Sequence, residues 1–190
     1  MYDLRKQLNM KYFFIPLMLL FVHQATAQKY FTRNGNISFF SETPIENIQA
    51  HNYKATCVLD KETNKIQWAV LIKAFQFEKA LMQEHFNENY MESSKYPKSS
   101  FEGEIAGLSD LDLSKDGTYE MTAKGELTIH GVTKNIETPV TLTVNKGSFE
   151  GVSEFSVTIA DYGIEVPSVV RENIAKVVEV KVFADFQELK

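Results

Sequence analysis

The chain is poor in the residues that build stapled folds and catalytic or metal centres. One of its 190 residues is cysteine, Cys57, so no disulfide can form within it. A fold placed outside the cell would then be held by its core alone. The four histidines are His23, His51, His85 and His130. No two stand at the spacings of a metal pair, and none accompanies Cys57 in a ligand pattern. There is no G-x-S-x-G elbow and no phosphate-cradling glycine loop. Carboxylates such as Glu102 and Glu104 alternate along an extended run, as a solvated face does. These patterns give catalysis no support, and a protein without enzymatic activity, cofactor or metal is expected.

Basic charge is also scarce, with 20 Lys and Arg against 25 Asp and Glu. An acidic chain is a poor partner for nucleic acid or an anionic membrane surface. Long apolar runs are missing too. The longest, Tyr12 to Val22, has eleven residues, and a membrane-spanning helix needs about 20. Arg5, Lys6 and Lys11 precede it, and Ala25-Thr26-Ala27 follows as a small-residue cleavage pattern. This is the order of a signal peptide over 1–27, cleaved after Ala27, with Met10 an alternative start. Its removal leaves one domain, 28–190, with a net charge near −7. No cysteine stands at the junction, so a lipid-anchored N-terminus is not expected. The destination expected is the periplasm or the exterior, with no stable membrane anchor.

What the chain does have is alternation. Eight extended runs follow one another: 36–41, 49–59, 65–77, 99–113, 119–129, 133–144, 149–159 and 174–186. Short turns join most of them, as at Asp60–Asn64, Asp116-Gly117 and Asn145–Gly147. Short connections imply antiparallel neighbours. The expected fold is all-β, an eight-stranded antiparallel up-and-down barrel, whose closure removes exposed edges. A two-sheet sandwich is the alternative. Between the third and fourth runs, Leu81, Met82, His85, Phe86 and Asn89 fall at helical spacing, predicting one short helix near 78–92 that acts as a lid or plug. His85 on that stripe reads as a satisfied side chain rather than a ligand.

Each run has one apolar face. Val178, Val180, Val182, Ala184 and Phe186 oppose Glu179, Lys181, Asp185 and Gln187. Tyr119, Met121, Leu127 and Ile129 oppose Glu120, Thr122, Glu126 and Thr128. Phe155, Val157 and Ile159 oppose Glu154, Ser156 and Thr158. The polar faces are too rich in charge to meet hydrocarbon, which argues against an outer-membrane barrel. The chain has fourteen Phe, eight Tyr and Trp68, and nine of the Phe with Tyr53, Tyr119 and Trp68 fall in these runs. That is more bulk than an eight-stranded interior needs, which favours a cavity over a core merely filled. Trp68 and Val70 share one parity of their run and Leu71 and Phe75 the other, so its inward face stays open.

Several motifs carry a resemblance. Lys124 to Lys134 (KGELTIHGVTK) opens a hairpin with a turn around His130 to Lys134. His85-Phe86, Tyr90, Tyr96-Pro97 and Phe101 precede it, and Asp161-Tyr162-Gly163-Ile164 follows a late strand. In order and spacing these resemble the YceI-like polyisoprenoid-binding proteins, small secreted lipid carriers. The resemblance spans 78–190 and implies a lipocalin-like barrel with a hydrophobic tunnel for an isoprenoid or another long-chain amphiphile.

On that reading the ligand-binding residues are Trp68, Val70, Ile72, Phe101, Tyr119, Met121, Leu127, Ile129, Phe155, Val157, Val178, Val180 and Val182, with Met82, Phe86 and Tyr90 gating the mouth. The partner expected is the hydrophobic ligand, and a homodimer is allowed. The alternatives are a secreted adhesion or interaction module with a filled core and no ligand, an enzyme acting on a lipid inside the barrel, and a stress-related secreted protein whose ligand is incidental. His130 reads as a polar residue beside the turn.

Overall fold

A computed structural model describes residues 28–189; the expected signal peptide lies outside them. Strands β1 (Lys29–Glu42), β2 (Asn47–Asp60), β3 (Lys65–Leu71), β5 (Lys98–Ile105), β6 (Gly117–Ile129), β7 (Val132–Asn145), β8 (Ser148–Thr158) and β9 (Val177–Glu188) each pair antiparallel with the next of these eight, while β4 (Gln76–Phe77) pairs beside β2. β1 also pairs with β9, from Tyr30 opposite Glu188 to Phe40 opposite Glu179. That last ladder closes the sheet into an eight-stranded up-and-down barrel and removes the sandwich alternative.

The turns follow from local chemistry. His130 and Gly131, with φ of 51° and 75°, form a two-residue turn between the paired Ile129 and Val132. Positive φ at both positions is what a right-twisted hairpin requires. The turn is therefore tighter than the five-residue one expected. Gly103 and Gly125 face each other across β5 and β6. A Cβ on either would run into a backbone carbonyl of the other strand, Lys124 or Glu102, and the Phe101 ring lies over Gly103. The two glycines allow the sheet to bend sharply at this corner.

Four runs differ from expectation, each for a visible reason. β1 begins at Lys29 rather than Asn36, because its inward set passes from Tyr30 and Thr32 to Gly35, Ile37, Phe39 and Ser41 through a bulge. One inserted residue reverses the parity and hides the alternation. The 65–77 run breaks into β3, a 3₁₀ turn at Ile72–Ala74 and β4. The chain thus turns inward, and both Val70 and Phe75 are buried while Leu71 faces solvent. The 99–113 run ends at Ile105, since Gly107 takes φ 77° and the chain folds into a plug. β9 starts at Val177, three residues late, and 159–176 is a long irregular connection. The helix α1 covers only Ala80–His85 and continues as a π-helical turn, Phe86–Tyr90.

The two ends of the barrel are unlike. At one end Leu108 and Leu111 of the β5–β6 loop close a dense core with Tyr30, Leu59, Ile105, Phe149 and Phe186. At the other end lie the β1–β2 loop, the 72–97 segment, the His130-Gly131 turn and the 159–176 connection. Two ladders stop short of this second end. β7 and β8 are paired only from Thr141–Val152 to Asn145–Ser148, and β2 and β3 only from Thr56–Ala69 to Asp60–Lys65. The barrel flares there.

Gly125→Val is expected to destabilise the protein by about 3 kcal/mol through overpacking at the β5–β6 corner. Chemical denaturation measures it, and an unchanged midpoint would refute the close-approach account.

Candidate functional site

The flare leaves a cavity of about 370 Å³ between the dense core and the second end. That lies within the range of about 300–1,000 Å³ typical of small-molecule sites. Its floor is built where Trp68 and Phe101, paired across β3 and β5, meet Ile66, Ala123 and Val140. The Trp68 ring reaches across to β1, where a Cβ on Gly35 would stand 2.6 Å from it. Its walls are the inward faces of β7, β8 and β9. The lining is apolar almost throughout, with hydroxyls only at Ser41, Ser99, Ser100, Thr138, Ser153 and Tyr90.

The hydroxyls of β7 and β8 are committed to the wall. Where the ladder between these strands stops, Ser153 Oγ donates to the Pro139 carbonyl at 2.7 Å and lies 2.9 Å from Thr138 Oγ1. Side chains bridge the seam that backbone pairing leaves, and Pro139, lacking an N–H, loses no donor there. Asn52 does the same between β2 and β3, its Nδ2 donating to the Leu71 carbonyl at 2.9 Å while its Oδ1 accepts from the Lys54 N–H. Such polar groups, satisfied by the frame, are not free for a ligand.

The structure brings fourteen of the sixteen sequence-chosen residues to this cavity: Trp68, Val70, Ile72, Met82, Phe86, Tyr90, Phe101, Leu127, Ile129, Phe155, Val157, Val178, Val180 and Val182. It does not bring Tyr119 and Met121. Both share the inward parity of β6, but they lie below the floor against the dense core. Alternation fixes the face of a strand and not the depth along the barrel. Trp68 and Val70 do face inward, which resolves the parity left open for β3.

Sequence reasoning found the lid but missed the rest of the roof. Phe39, Phe75 and Phe77 surround Phe86, with ring centroids 5.5, 5.6 and 5.0 Å from it. Phe86 is therefore an anchor of the lid rather than a free gate, since each such aromatic pair adds about 0.5–1.5 kcal/mol beyond burial. Ile164, Val166, Val170 and Ile174 of the β8–β9 connection complete the roof. That segment has neither period, so no pattern announced it.

Two polar groups tie the roof together. Glu46, on the β1–β2 loop, accepts from Lys79 Nζ at 3.0 Å and from Asn173 Nδ2 at 3.4 Å, joining three rim segments. The Lys79 ammonium holds the Glu46 carboxyl below its ordinary range. On the opposite side His130 is a clamp. Its Nδ1 donates to the Tyr162 carbonyl at 3.2 Å, its Nε2 lies 3.0 Å from Glu92 Oε2, and Tyr96 packs edge-on at 4.6 Å. Gly131 makes room, for a Cβ there would stand 2.5 Å from the Tyr96 ring. The histidine beside the turn is thus a partly buried positioning residue with both ring nitrogens engaged.

The single thiol is not poised to react. Burial pushes the Cys57 thiol well above its ordinary range, away from the nucleophilic thiolate. Among the described residues no group of three or more His, Cys, Asp or Glu is placed to hold a metal ion.

A YceI-like domain model matches residues 27–186. Among solved structures, a polyisoprenoid binding domain from Saccharophagus degradans, implicated in plant cell wall breakdown, superposes with a TM-score of 0.75 at 11% identity, covering 86% of this chain and 99% of that one. BcnA of Burkholderia cenocepacia does so at 0.66 and 15% identity, over 79% and 96%. A YCEI protein of Campylobacter jejuni gives 0.56 and 14%, over 78% and 89%. At these identities the likeness shows the fold. No curated protein matches the sequence.

His130→Ala is expected to cost about 2 kcal/mol in lost charge-assisted hydrogen bonds. Amide exchange should rise in 86–97 and 159–164 and stay unchanged at the Leu108 end; uniform loosening would refute the local clamp. Native Cys57 should resist alkylation until denaturant is added, and rapid modification would contradict its burial.

Proposed function

The chain belongs to the YceI-like domain family, and on that premise we propose that it is a secreted, periplasmic lipid-binding protein. It sequesters or carries a polyisoprenoid or a similar long-chain amphiphile in the barrel cavity. The observation that carries this reading is the cavity itself, apolar from the Trp68 floor to the Phe86 roof in a barrel whose other half is solidly packed. A core that only needed filling would not stop halfway. The signal-peptide pattern ending at Ala27 supports the secreted location.

The energetics suit a chain-like ligand. Each methylene moved from water into such a space is worth about 0.8 kcal/mol, so a tail of about fifteen carbons gains roughly 12 kcal/mol before the cost of association. Few polar contacts are then needed, in keeping with a lining whose hydroxyls on β7 and β8 are already engaged. The structure of the Saccharophagus degradans domain, described as polyisoprenoid binding, supports the choice of ligand class.

Purification from the native host, followed by organic extraction and mass spectrometry, should recover one long-chain lipid in stoichiometric amount. An empty protein that also fails to take up added isoprenoid would sink the reading. Val180→Trp fills the cavity with a large ring and is expected to abolish uptake while the protein stays folded by circular dichroism. Unchanged uptake by that variant would place the ligand elsewhere.

A further inference from the structure

A lipid held under a pinned roof has to enter and leave, and the surface around the roof is not an ordinary one. Five of the eight large apolar side chains exposed among the described residues lie at the cavity end of the barrel: Ile45, Leu71, Leu81, Val169 and Val177. Three of these sit on the segments that Glu46 joins. Ile45 is 59% exposed, Leu81 61% and Val169 88%. Each is the chain neighbour of a residue that lines the cavity, namely Glu46, Met82 and Val170. On all three segments the chain points one side chain into the cavity and the adjacent aliphatic one out into water.

An exposed Leu or Val forgoes about 1.5–3 kcal/mol of burial, and a single one on a surface needs no account. Three on separate segments, all tied to one carboxylate at the rim of one apolar cavity, are not scattered at random. The charges on these segments narrow what the three can meet. On the β1–β2 loop, 72–97 and 159–176, the acidic Glu46, Glu78, Glu84, Glu88, Glu92, Asp161, Glu165 and Glu172 outnumber the basic Lys73, Lys79, Lys95, Arg171 and Lys176, and Lys79 and Lys95 are already paired with Glu46 and Glu92. Among the described residues these segments are net acidic, which gives anionic headgroups nothing to favour. We propose that Ile45, Leu81 and Val169 form a lip that dips transiently into an electrically neutral lipid bilayer, so that cargo passes between membrane and cavity without crossing water. This rests on the lipid-binding reading above and adds the surface through which the cavity loads. Three aliphatic side chains supply reversible contact rather than anchoring.

The test uses the purified protein, vesicles of phosphatidylcholine alone or mixed with phosphatidylglycerol, and a fluorescent long-chain polyene fatty acid as probe. The variant is the triple substitution Ile45→Ser, Leu81→Ser, Val169→Ser, whose sites are exposed and leave the cavity wall intact. The wild-type transfer rate should rise with the concentration of phosphatidylcholine vesicles, as contact-dependent exchange requires. In the triple variant that rate should fall about ten-fold, a change expected from lost apolar contact, while probe affinity in solution stays the same. Wild-type protein, and not the variant, should co-float with the vesicles.

Transfer that ignores vesicle concentration, or that the triple variant leaves unchanged, overturns the proposal and points to free diffusion or a protein partner. Transfer appreciably faster with phosphatidylglycerol also overturns it, because headgroup charge would then be the attraction. If wild-type protein takes up no probe or isoprenoid, the lipid-binding reading fails. Flotation still decides the lip independently: its persistence in the triple variant, or its absence in the wild type, refutes the surface assigned here.

Discussion

The pairing of β1 with β9 is the constraint from which the rest of this structure follows. It turns a meander of eight strands into a ring and obliges every strand to present one face to a common interior. Closure alone would give a packed core, and at the Leu108 end it does. What makes the other half hollow is that two of the eight ladders, β7–β8 and β2–β3, stop before they reach it. Side chains replace the missing backbone pairs: Ser153 and Thr138 at one seam, and Asn52 at the other. The widened end is roofed by the lid and the β8–β9 connection instead of being filled.

The roof is fixed in place by few groups. The four-phenylalanine cluster around Phe86 holds the helical turn by burial, Glu46 links the rim on one side, and His130 clamps it on the other. The pieces of sequence that carried the family resemblance are the ones His130 gathers. Glu92 and Tyr96 come from the segment after the lid, Tyr162 from the turn after β8, and Gly131 from the hairpin itself. A motif that looks like a hairpin signature in one dimension is a junction of three loops in three. Its glycine admits the Tyr96 ring, and its histidine joins two segments 38 and 32 residues away in the chain.

Much of the frame was legible because a half-buried strand writes its own period. β6, β7 and β8 begin and end within two residues of their expected limits, and β9 is right in face though late in start. The losses have physical causes. A bulge in β1 reverses parity at Gly35, and the turn at Ile72–Ala74 bends the chain inward without a proline or glycine to mark it. The roof residues Phe39, Phe75 and Phe77 are joined by aromatic packing between segments remote in sequence, which leaves no local trace.

By itself the sequence determined the class of fold, the inward face of most strands, the single lid and the apolar character of what they enclose. Each of these depends on which side of a strand or helix a residue occupies, and that is a local, periodic property. Only the tertiary structure decided where the interior is filled and where it is empty, so that Leu127 lines the cavity while Tyr119 and Met121, on the same face of the same strand, lie beneath its floor. Depth along a barrel depends on where ladders end and which loops fold over them. Those are outcomes of contacts between distant segments, and no pattern within one segment can encode them.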